Sequence, residues 1–151
     1  MKITFLGTGT SVGVPMIGCD CRVCTSPDPH NKRRRASVRI EAGGLSLLVD
    51  TPPDFREQAL EYKIKRVDAV LFTHSHADHV FGFDDIRRFN TMQESTIPAY
   101  GLPATIADLK RVFDYIVSGE ELPGLFRPRI EFVEVKTEFR IGPVKVTPIS
   151  V

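Results

Sequence analysis

Four side chains that commonly bind metals lie within one short stretch of the chain, "LFTHSHADH". His74 and His76 are two residues apart directly after an apolar run, so their imidazoles can point to the same side and ligate one ion. Asp78 and His79 follow where the chain should turn toward a helix, and they offer one oxygen and one nitrogen to a neighbouring ion. A water bridging two such ions is a strong nucleophile at neutral pH. The spacing therefore predicts a two-metal hydrolytic site, with Asp78 and His79 among its catalytic residues.

A further carboxylate that could serve this site is Asp50, which ends the apolar run "LSLLVD". A strand ending there would bring Asp50 to the same sheet edge as the histidines. Its predicted role in catalysis is to accept a hydrogen bond from a ligand imidazole, which would fix the imidazole's tautomer. A plain turn carboxylate is an equally open interpretation. Asp54, which follows Pro52-Pro53, can cap a helix without any catalytic function.

All three cysteines of the chain, Cys19, Cys21 and Cys24, lie in "CDCRVC". Three thiolates in one tight loop are soft ligands that suit a closed structural zinc site, whereas the plain alternative is three small buried residues. A structural zinc site normally has four ligands, and His30 is the only histidine close enough in sequence to be the fourth. His30 could equally be a surface residue.

A run of cations, "KRRR", precedes the second apolar segment and contains Arg33, Arg34 and Arg35. Guanidinium groups suit phosphate recognition, so these arginines are candidates for orienting a substrate phosphate. The alternative is a solvated loop without a binding role. The "GTGTSVG" loop near the start lacks the lysine and hydroxyl residues of a P-loop and the spacing of a dinucleotide fingerprint. Its glycines are better explained by backbone passing close to the metal site.

Composition limits the class of protein. With 151 residues, 42% hydrophobic content and a formal net charge of +1, the chain has the composition of one globular domain with a core. A near-neutral charge makes nucleic acid an unlikely partner, since dedicated nucleic-acid binders carry a basic excess. No stretch is apolar enough for a membrane helix, and the first residues indicate a strand and not a signal peptide. We therefore expect a cytoplasmic protein with no membrane partner.

The elements that must position these residues alternate between strands and helices, which is typical of an α/β fold. Short apolar runs predict strands, and an apolar residue every three or four positions predicts helices. The first strand is expected to be buried, and Thr105 is expected to cap one long helix whose apolar stripe reaches Val117. Strands are predicted at residues 2–6, 38–41, 45–49, 69–72, 97–100 and beyond 129, and helices at 55–62, 84–92 and 105–117.

Two segments carry a family resemblance. "HSHADH" resembles the His-x-His-x-Asp-His signature of the metallo-β-lactamase superfamily, and "FLGTGTSVGVPMIGCDCRVC" resembles the opening of its PhnP-type, phosphoribosyl cyclic phosphodiesterase branch. The resemblance implies an αββα sandwich with two active-site metal ions, zinc or manganese. It implies that His74 and His76 bind one ion and that Asp78 and His79 bind the other. It also implies a structural zinc on the three cysteines, closed by a histidine from the C-terminal part of the family's fold.

The same family completes its metal centre with two later histidines and a bridging aspartate, whereas no histidine follows His79 here. We therefore expect residues 1–151 to form a single metallo-β-lactamase-like domain that corresponds to the N-terminal half of the fold. Catalysis by this half alone is expected to be weak. An exposed apolar edge left by "VKVTPISV" would favour pairing with a second copy, as a homodimer.

The function expected on these grounds is hydrolysis of a cyclic or related phosphodiester, a small-molecule substrate. Two other functions stay open. One is hydrolysis of RNA phosphodiesters or lactones with the same metals. The other, from a different class, is a zinc-stabilised binding module without catalysis, in which the cysteine loop and "KRRR" contact a polyanion.

Overall fold

The computed structural model describes residues 1–118 and 126–149 of the chain. A six-stranded sheet in the order β1-β2-β3-β4-β5-β6 forms its centre, and a separate hairpin pairs β7 with β8. The strands are β1 (Lys2–Gly7), β2 (Ser37–Ala42), β3 (Leu45–Val49), β4 (Ala69–Leu71), β5 (Ile97–Gly101), β6 (Ile130–Glu134), β7 (Phe139–Ile141) and β8 (Val144–Val146). The helices are α1 (Phe55–Glu61), α2 (Ala77–Val80), α3 (Ile86–Gln93), α4 (Pro103–Val112) and α5 (Asp114–Val117). This mixture confirms the predicted α/β class.

The sheet is mixed. Strands β1, β2 and β3 are antiparallel, whereas β3, β4, β5 and β6 run parallel. Gly43 and Gly44 form the turn between β2 and β3, and both have positive φ, at 56° and 78°. Such angles suit the tight hairpin turns that match strand twist, and glycine adopts them without a Cβ clash. Parallel strands need crossover connections, which α1, α3 and α4 supply.

The core has two parts, one on each face of the sheet. Leu48 and Val70 point to the face that packs against the helices, where Phe55 and Ile86 are fully buried. Their strand neighbours Leu47 and Ala69 point to the opposite face and pack against the β7–β8 hairpin. Strands covered on both faces are expected to be continuously apolar, which explains why these runs show no polar alternation.

The expectation that the first strand is buried was wrong. Within β1 only Leu6 is buried, while Ile3 and Phe5 are 50% and 61% exposed. The reason is position, because β1 lies at the edge of the sheet and pairs only with β2. An apolar run does not distinguish a central strand from an edge strand.

The single helix expected from Thr105 to Val117 was also wrong. Helix α4 begins at Pro103 with Leu102 as its N-cap, which agrees with the preference of proline for the first helical turn. The chain leaves helical geometry at Phe113, with φ −111° and ψ 49°, before α5 begins. The Phe113 ring packs edge-on against Phe83, with ring centroids 5.5 Å apart. This packing favours a bend that the periodicity of the sequence does not show.

The ends of the parallel strands place the candidate site residues together. Asp50 follows β3, and Thr73 and His74 follow β4. Because β3 and β4 are parallel neighbours, their carboxyl ends meet at the same edge of the sheet. Among the described residues, no helix combines the length and the apolar character needed to cross a lipid bilayer.

Candidate metal centre

Asp50 is held in an unusual backbone conformation at the end of β3. Its φ is 60°, a left-handed conformation that aspartate and asparagine tolerate better than most residues. Its N–H donates to the carbonyl of Leu71 at 2.9 Å, and the next residue, Thr51, donates its N–H to the carbonyl of His79 at 2.8 Å. These bonds tie the end of β3 to β4 and to α2. As a result the Asp50 carboxylate is buried directly beneath the histidine cluster.

The Asp50 carboxylate accepts three hydrogen bonds. Oδ1 accepts from the Thr73 backbone N–H at 2.8 Å, and Oδ2 accepts from the Thr73 hydroxyl at 2.7 Å. Oδ2 also lies 2.7 Å from His79 Nδ1. An ionised carboxylate can only accept, so Nδ1 of His79 carries the proton and its Nε2 keeps a free lone pair. The contact therefore gives His79 the tautomer that a metal ligand needs.

Thr73 extends the same arrangement to His74. The Thr73 hydroxyl gives its only proton to Asp50, so it accepts from Nδ1 of His74, which lies 2.9 Å away. Nε2 of His74 is then also free. Burial is the main cause that holds the pKa of His74 below its usual value, and the neighbouring His79 and His76 lower it further. A lowered pKa favours the neutral imidazole, the form that binds metal.

The four motif residues are close together. The ring centroids of His74 and His79 are 4.0 Å apart, and those of His74 and His76 are 4.7 Å apart. An oxygen of Asp78 lies 3.3 Å from Nε2 of His79, so these two potential ligand atoms face a common point. The short helix α2 produces this geometry, because it begins directly after His76 and turns Asp78 and His79 back toward β4.

The donor set fits divalent metal ions but offers few ligands to each. Three imidazoles and one carboxylate suit zinc, and they also suit other first-row metals. If His74 and His76 bind one ion and Asp78 and His79 bind the other, each ion receives two ligands. In keeping with this, the described part of the chain gathers three or more ligand atoms within 4.8 Å of one another only at the cysteines.

One contact that the sequence did not reveal fixes the loop between the first two histidines. The hydroxyl of Ser75 donates to Oδ2 of Asp108 in α4 at 2.7 Å. Arg111, one turn later, donates to the other oxygen of Asp108 at 3.0 Å. Ser75 and Asp108 are 33 residues apart in the chain, so no local pattern could have predicted the pair. The role of Thr73 was equally missed, although its position next to His74 was a usable signal.

The three cysteines form a second cluster, with their sulfur atoms within 4.8 Å of one another. Backbone N–H groups point at two of them, from Met16 to Cys24 at 3.4 Å and from Cys24 to Cys21 at 3.5 Å. The Cys24 N–H, together with the Cys19 thiol, lowers the pKa of Cys21 to about 7. A thiol with a lowered pKa is more readily deprotonated for metal binding. The donor set fits a structural zinc with three of its four ligands.

His30 lies outside this cluster. Its imidazole is 90% exposed, and Nδ1 lies 2.9 Å from Oδ1 of Asp28. The structure therefore does not place His30 as the fourth ligand of the cysteine site.

The three arginines proposed for phosphate binding are not equivalent. Arg35 makes two bonds to Asp54, from its guanidinium to Oδ1 at 2.9 Å and from its backbone N–H to Oδ2 at 2.8 Å. The guanidinium of Arg34 pairs with Glu61. Arg33 is exposed and donates from Nε to the carbonyl of His30 at 3.0 Å. Asp54 thus anchors Arg35 and makes no side-chain cap for α1, contrary to the helix-cap interpretation.

Comparison with known proteins agrees with the motif. A family model described as "Beta-lactamase superfamily domain" matches residues 46–151. A curated relative, the octanoyltransferase of Porphyromonas gingivalis, is 39% identical over 154 aligned residues, which cover 100% of this chain and 30% of that protein. Most of that relative therefore lies outside the match, and its name says little about the matched part.

Two solved structures resemble the chain closely in fold. A diphosphatase from the PhnP family superposes with a TM-score of 0.86 at 42% identity, covering 97% of this chain and 55% of that one. The Zn²⁺-bound PqqB of Methylobacterium extorquens has a TM-score of 0.72 at 22% identity, with 97% and 51% covered. The chain thus spans about half the length of these two structures. It spans 30% of the length of the curated relative. It belongs to the metallo-β-lactamase superfamily, and the similarity to the diphosphatase supports its PhnP-like branch.

Proposed function

We propose that this chain contributes to the active site of a metal-dependent phosphodiesterase that acts on a cyclic phosphate or a related small phosphodiester. The observation that carries the proposal is the hydrogen-bond arrangement around Asp50. It leaves Nε2 of both His74 and His79 outside these hydrogen bonds, on two rings whose centroids are 4.0 Å apart at a sheet edge.

Each residue has a distinct role in this proposal. His74 and His76 hold one ion, and Asp78 and His79 hold the other. When bound, two divalent ions such as zinc or manganese supply an activated water and neutralise the charge that develops on phosphate oxygens. Asp50 takes part by keeping His79 in the ligating tautomer and by balancing the positive charge that metal binding draws onto the ring. Ser75 and Asp108 hold the loop that carries the histidines.

A second candidate reaction is hydrolysis of a diphosphate. The 42% identity to a diphosphatase of the PhnP family favours it. Both reactions bring a water-derived nucleophile to phosphorus, so they need the same metal centre and differ in the leaving group. A phosphodiester expels an alkoxide, whereas a diphosphate expels a second phosphate group.

The ligand count predicts that further residues complete the centre. A catalytic zinc normally has three protein ligands, and this stretch gives two to each ion. The remaining ligands would come from further chain like that present in the longer relatives, or from a second copy in a homodimer. The free thiols of the cysteine loop must stay reduced to bind zinc, so we also infer a reducing compartment such as the cytoplasm.

The test is a metal-dependent hydrolysis assay. The 151-residue chain and a version extended to the length of the relatives are assayed with bis-p-nitrophenyl phosphate, a ribose cyclic phosphate and an alkyl diphosphate, with added zinc or manganese. We expect turnover by the extended protein that His76→Ala abolishes, whereas the control His30→Ala leaves it unchanged. The 151-residue chain should be far slower at every protein concentration unless copies pair. Undiminished turnover by the His76→Ala variant would overturn the proposal.

A further inference from the structure

A second cleft, lined by none of the proposed metal-centre residues, lies beside β1 and α1. Its volume is about 510 Å³, within the usual range for small-molecule sites. The open edge of β1 and the last turn of α1 border it on one side, and the cationic segment 32–35 borders it on the other. Neither Asp50 nor any of the four motif residues of the metal centre lines it. The cleft is thus a concave site distinct from the positions proposed to hold the ions.

The wall that carries the cations is held in place by backbone contacts. Arg33 and Val14 exchange two hydrogen bonds, at 2.7 and 2.8 Å, and the N–H of Gly9 donates to the carbonyl of Arg34 at 2.7 Å. A Cβ on Gly9 would lie 2.6 Å from the carbonyl oxygen of Arg33, so only glycine permits this approach. The cationic segment is therefore a fixed wall and not a loose loop.

The charge of the cleft is positive. Four cations line it together with two carboxylates, and both carboxylates are already paired, Glu61 with Arg34 and Asp54 with Arg35. Lys32 and Arg33 are exposed, and neither has a carboxylate within 4.0 Å in the part of the chain that the structure describes. Apart from the bond from Arg33 Nε to the carbonyl of His30, these two cations can bind an anion, and the paired arginines add to the positive potential.

One aromatic side chain next to α1 lies at this cleft. Tyr62, directly after α1, is 39% exposed and lines the cavity. An exposed aromatic ring next to unpaired cations suits a ligand that has both a phosphate and a planar ring, because such rings pack favourably against nucleobases. The cavity volume is large enough for one nucleotide.

We propose that this cleft binds a mononucleotide, with the phosphate held by Lys32 and Arg33 and the base packed against Tyr62. This refines the earlier suggestion for the arginine run, since Arg34 and Arg35 serve as paired supports and Lys32 joins Arg33 as a ligand. The site does not depend on metal binding or on the proposed hydrolysis.

The test is equilibrium binding to the 151-residue chain by titration calorimetry, with adenosine 5′-monophosphate, adenosine and inorganic phosphate as probes. We expect the nucleotide to bind more tightly than either part, and to bind more weakly as salt increases. The Lys32→Ala, Arg33→Ala variant should lose at least tenfold in nucleotide affinity. The control Lys65→Ala, Arg88→Ala removes the same charge from exposed positions outside the cleft and should bind like the wild type.

Two further variants separate the parts of the proposal. Tyr62→Ala should weaken binding of the nucleotide and leave binding of inorganic phosphate unchanged. His76→Ala, Asp78→Ala should bind the nucleotide as well as the wild type, because neither residue lines the cleft. The site would be overturned if the Lys32→Ala, Arg33→Ala variant and its control had equal nucleotide affinity. It would also be overturned if the His76→Ala, Asp78→Ala variant no longer bound the nucleotide. A single-stranded hexanucleotide that binds over a hundredfold more tightly than the mononucleotide would overturn the assignment to a small ligand.

Discussion

The two clusters of candidate metal ligands in this protein occupy equally short stretches but are built differently. The cysteine cluster brings three sulfur atoms within 4.8 Å of one another inside one loop, residues 19–24, with bonds from nearby backbone. The histidine cluster, residues 74–79, depends on Asp50, which lies 29 residues from His79 in the chain. A local loop can thus assemble a structural site, whereas the candidate catalytic site needs the sheet to bring distant residues beneath it.

This difference has an energetic meaning. The Asp50 carboxylate is buried and accepts three hydrogen bonds, so removing it would take away the one buried acceptor that Thr73 and His79 share. The cysteines are partly or fully exposed, so solvent can replace their lost contacts. Changes in the packing of the sheet should therefore harm the histidine cluster far more than the cysteine cluster.

The largest expected effect comes from removing ligands. His76→Ala, Asp78→Ala deletes one proposed ligand from each ion, so metal bound at this centre should fall below detection while zinc at the cysteines remains. Metal content by mass spectrometry of the extended protein, wild type against variant, measures this. Equal metal content in the two proteins would show that these residues are not ligands.

Replacing a glycine next to each cluster by alanine should also change the stability of the protein by different amounts. A Cβ on Gly82, just after α2, would meet the Pro52 carbonyl and lie 2.8 Å from Cβ of Phe55. Gly82→Ala should lower the free energy of unfolding by about 3 kcal/mol, at the upper end for overpacking. Gly18→Ala, in the cysteine loop, meets no atom within 4 Å and suffers only the strain of its positive φ, about 1 kcal/mol. Urea denaturation of both variants tests the difference, and equal losses would contradict it.

Asp50→Asn should weaken metal binding at the histidine cluster by 10- to 100-fold, the usual effect of losing such a supporting hydrogen bond. Asparagine tolerates the left-handed backbone. However, both oxygens of Asp50 accept hydrogen bonds, so the amide NH2 of asparagine would face at least one group that is itself a donor. Competition with a chelator measures the affinity at each cluster. The same loss at the cysteine cluster would mean that the variant is unfolded and that the contrast between the clusters is wrong.

The contrast also explains what the sequence could predict. The motif residues were recognisable because their chemistry is expressed in local spacing, and Asp50 was recognisable because it ends a strand at the same sheet edge. The role of Thr73 and the Ser75–Asp108 contact were not, because they depend on how separate elements meet. Their side chains carry no distinctive pattern in the sequence.

The errors in the fold have a similar cause. Apolar runs located the strands, but they could not show that β1 lies at an edge with Ile3 and Phe5 exposed. Helical periodicity located α4 and α5, but it could not show the break at Phe113, where packing against Phe83 replaces continuous helix. Periodicity reports local geometry, and burial at an edge or a bend depends on neighbours distant in sequence.

The smallest expected effect concerns the order in which the three thiols react. In zinc-free protein the Cys24 N–H holds the pKa of Cys21 at about 7, so the Cys21 thiolate should form as the pH rises through about 7. Below that pH its reaction with a thiol reagent should slow, and Cys21→Ser should remove the fast phase. Before chelation, bound zinc should protect all three thiols. Because the cluster is local, Asp50→Asn should leave the pH midpoint unchanged. Stopped-flow thiol labelling between pH 5 and 9 measures the phases, and three thiols equally reactive in untreated, folded protein would rule out the zinc site.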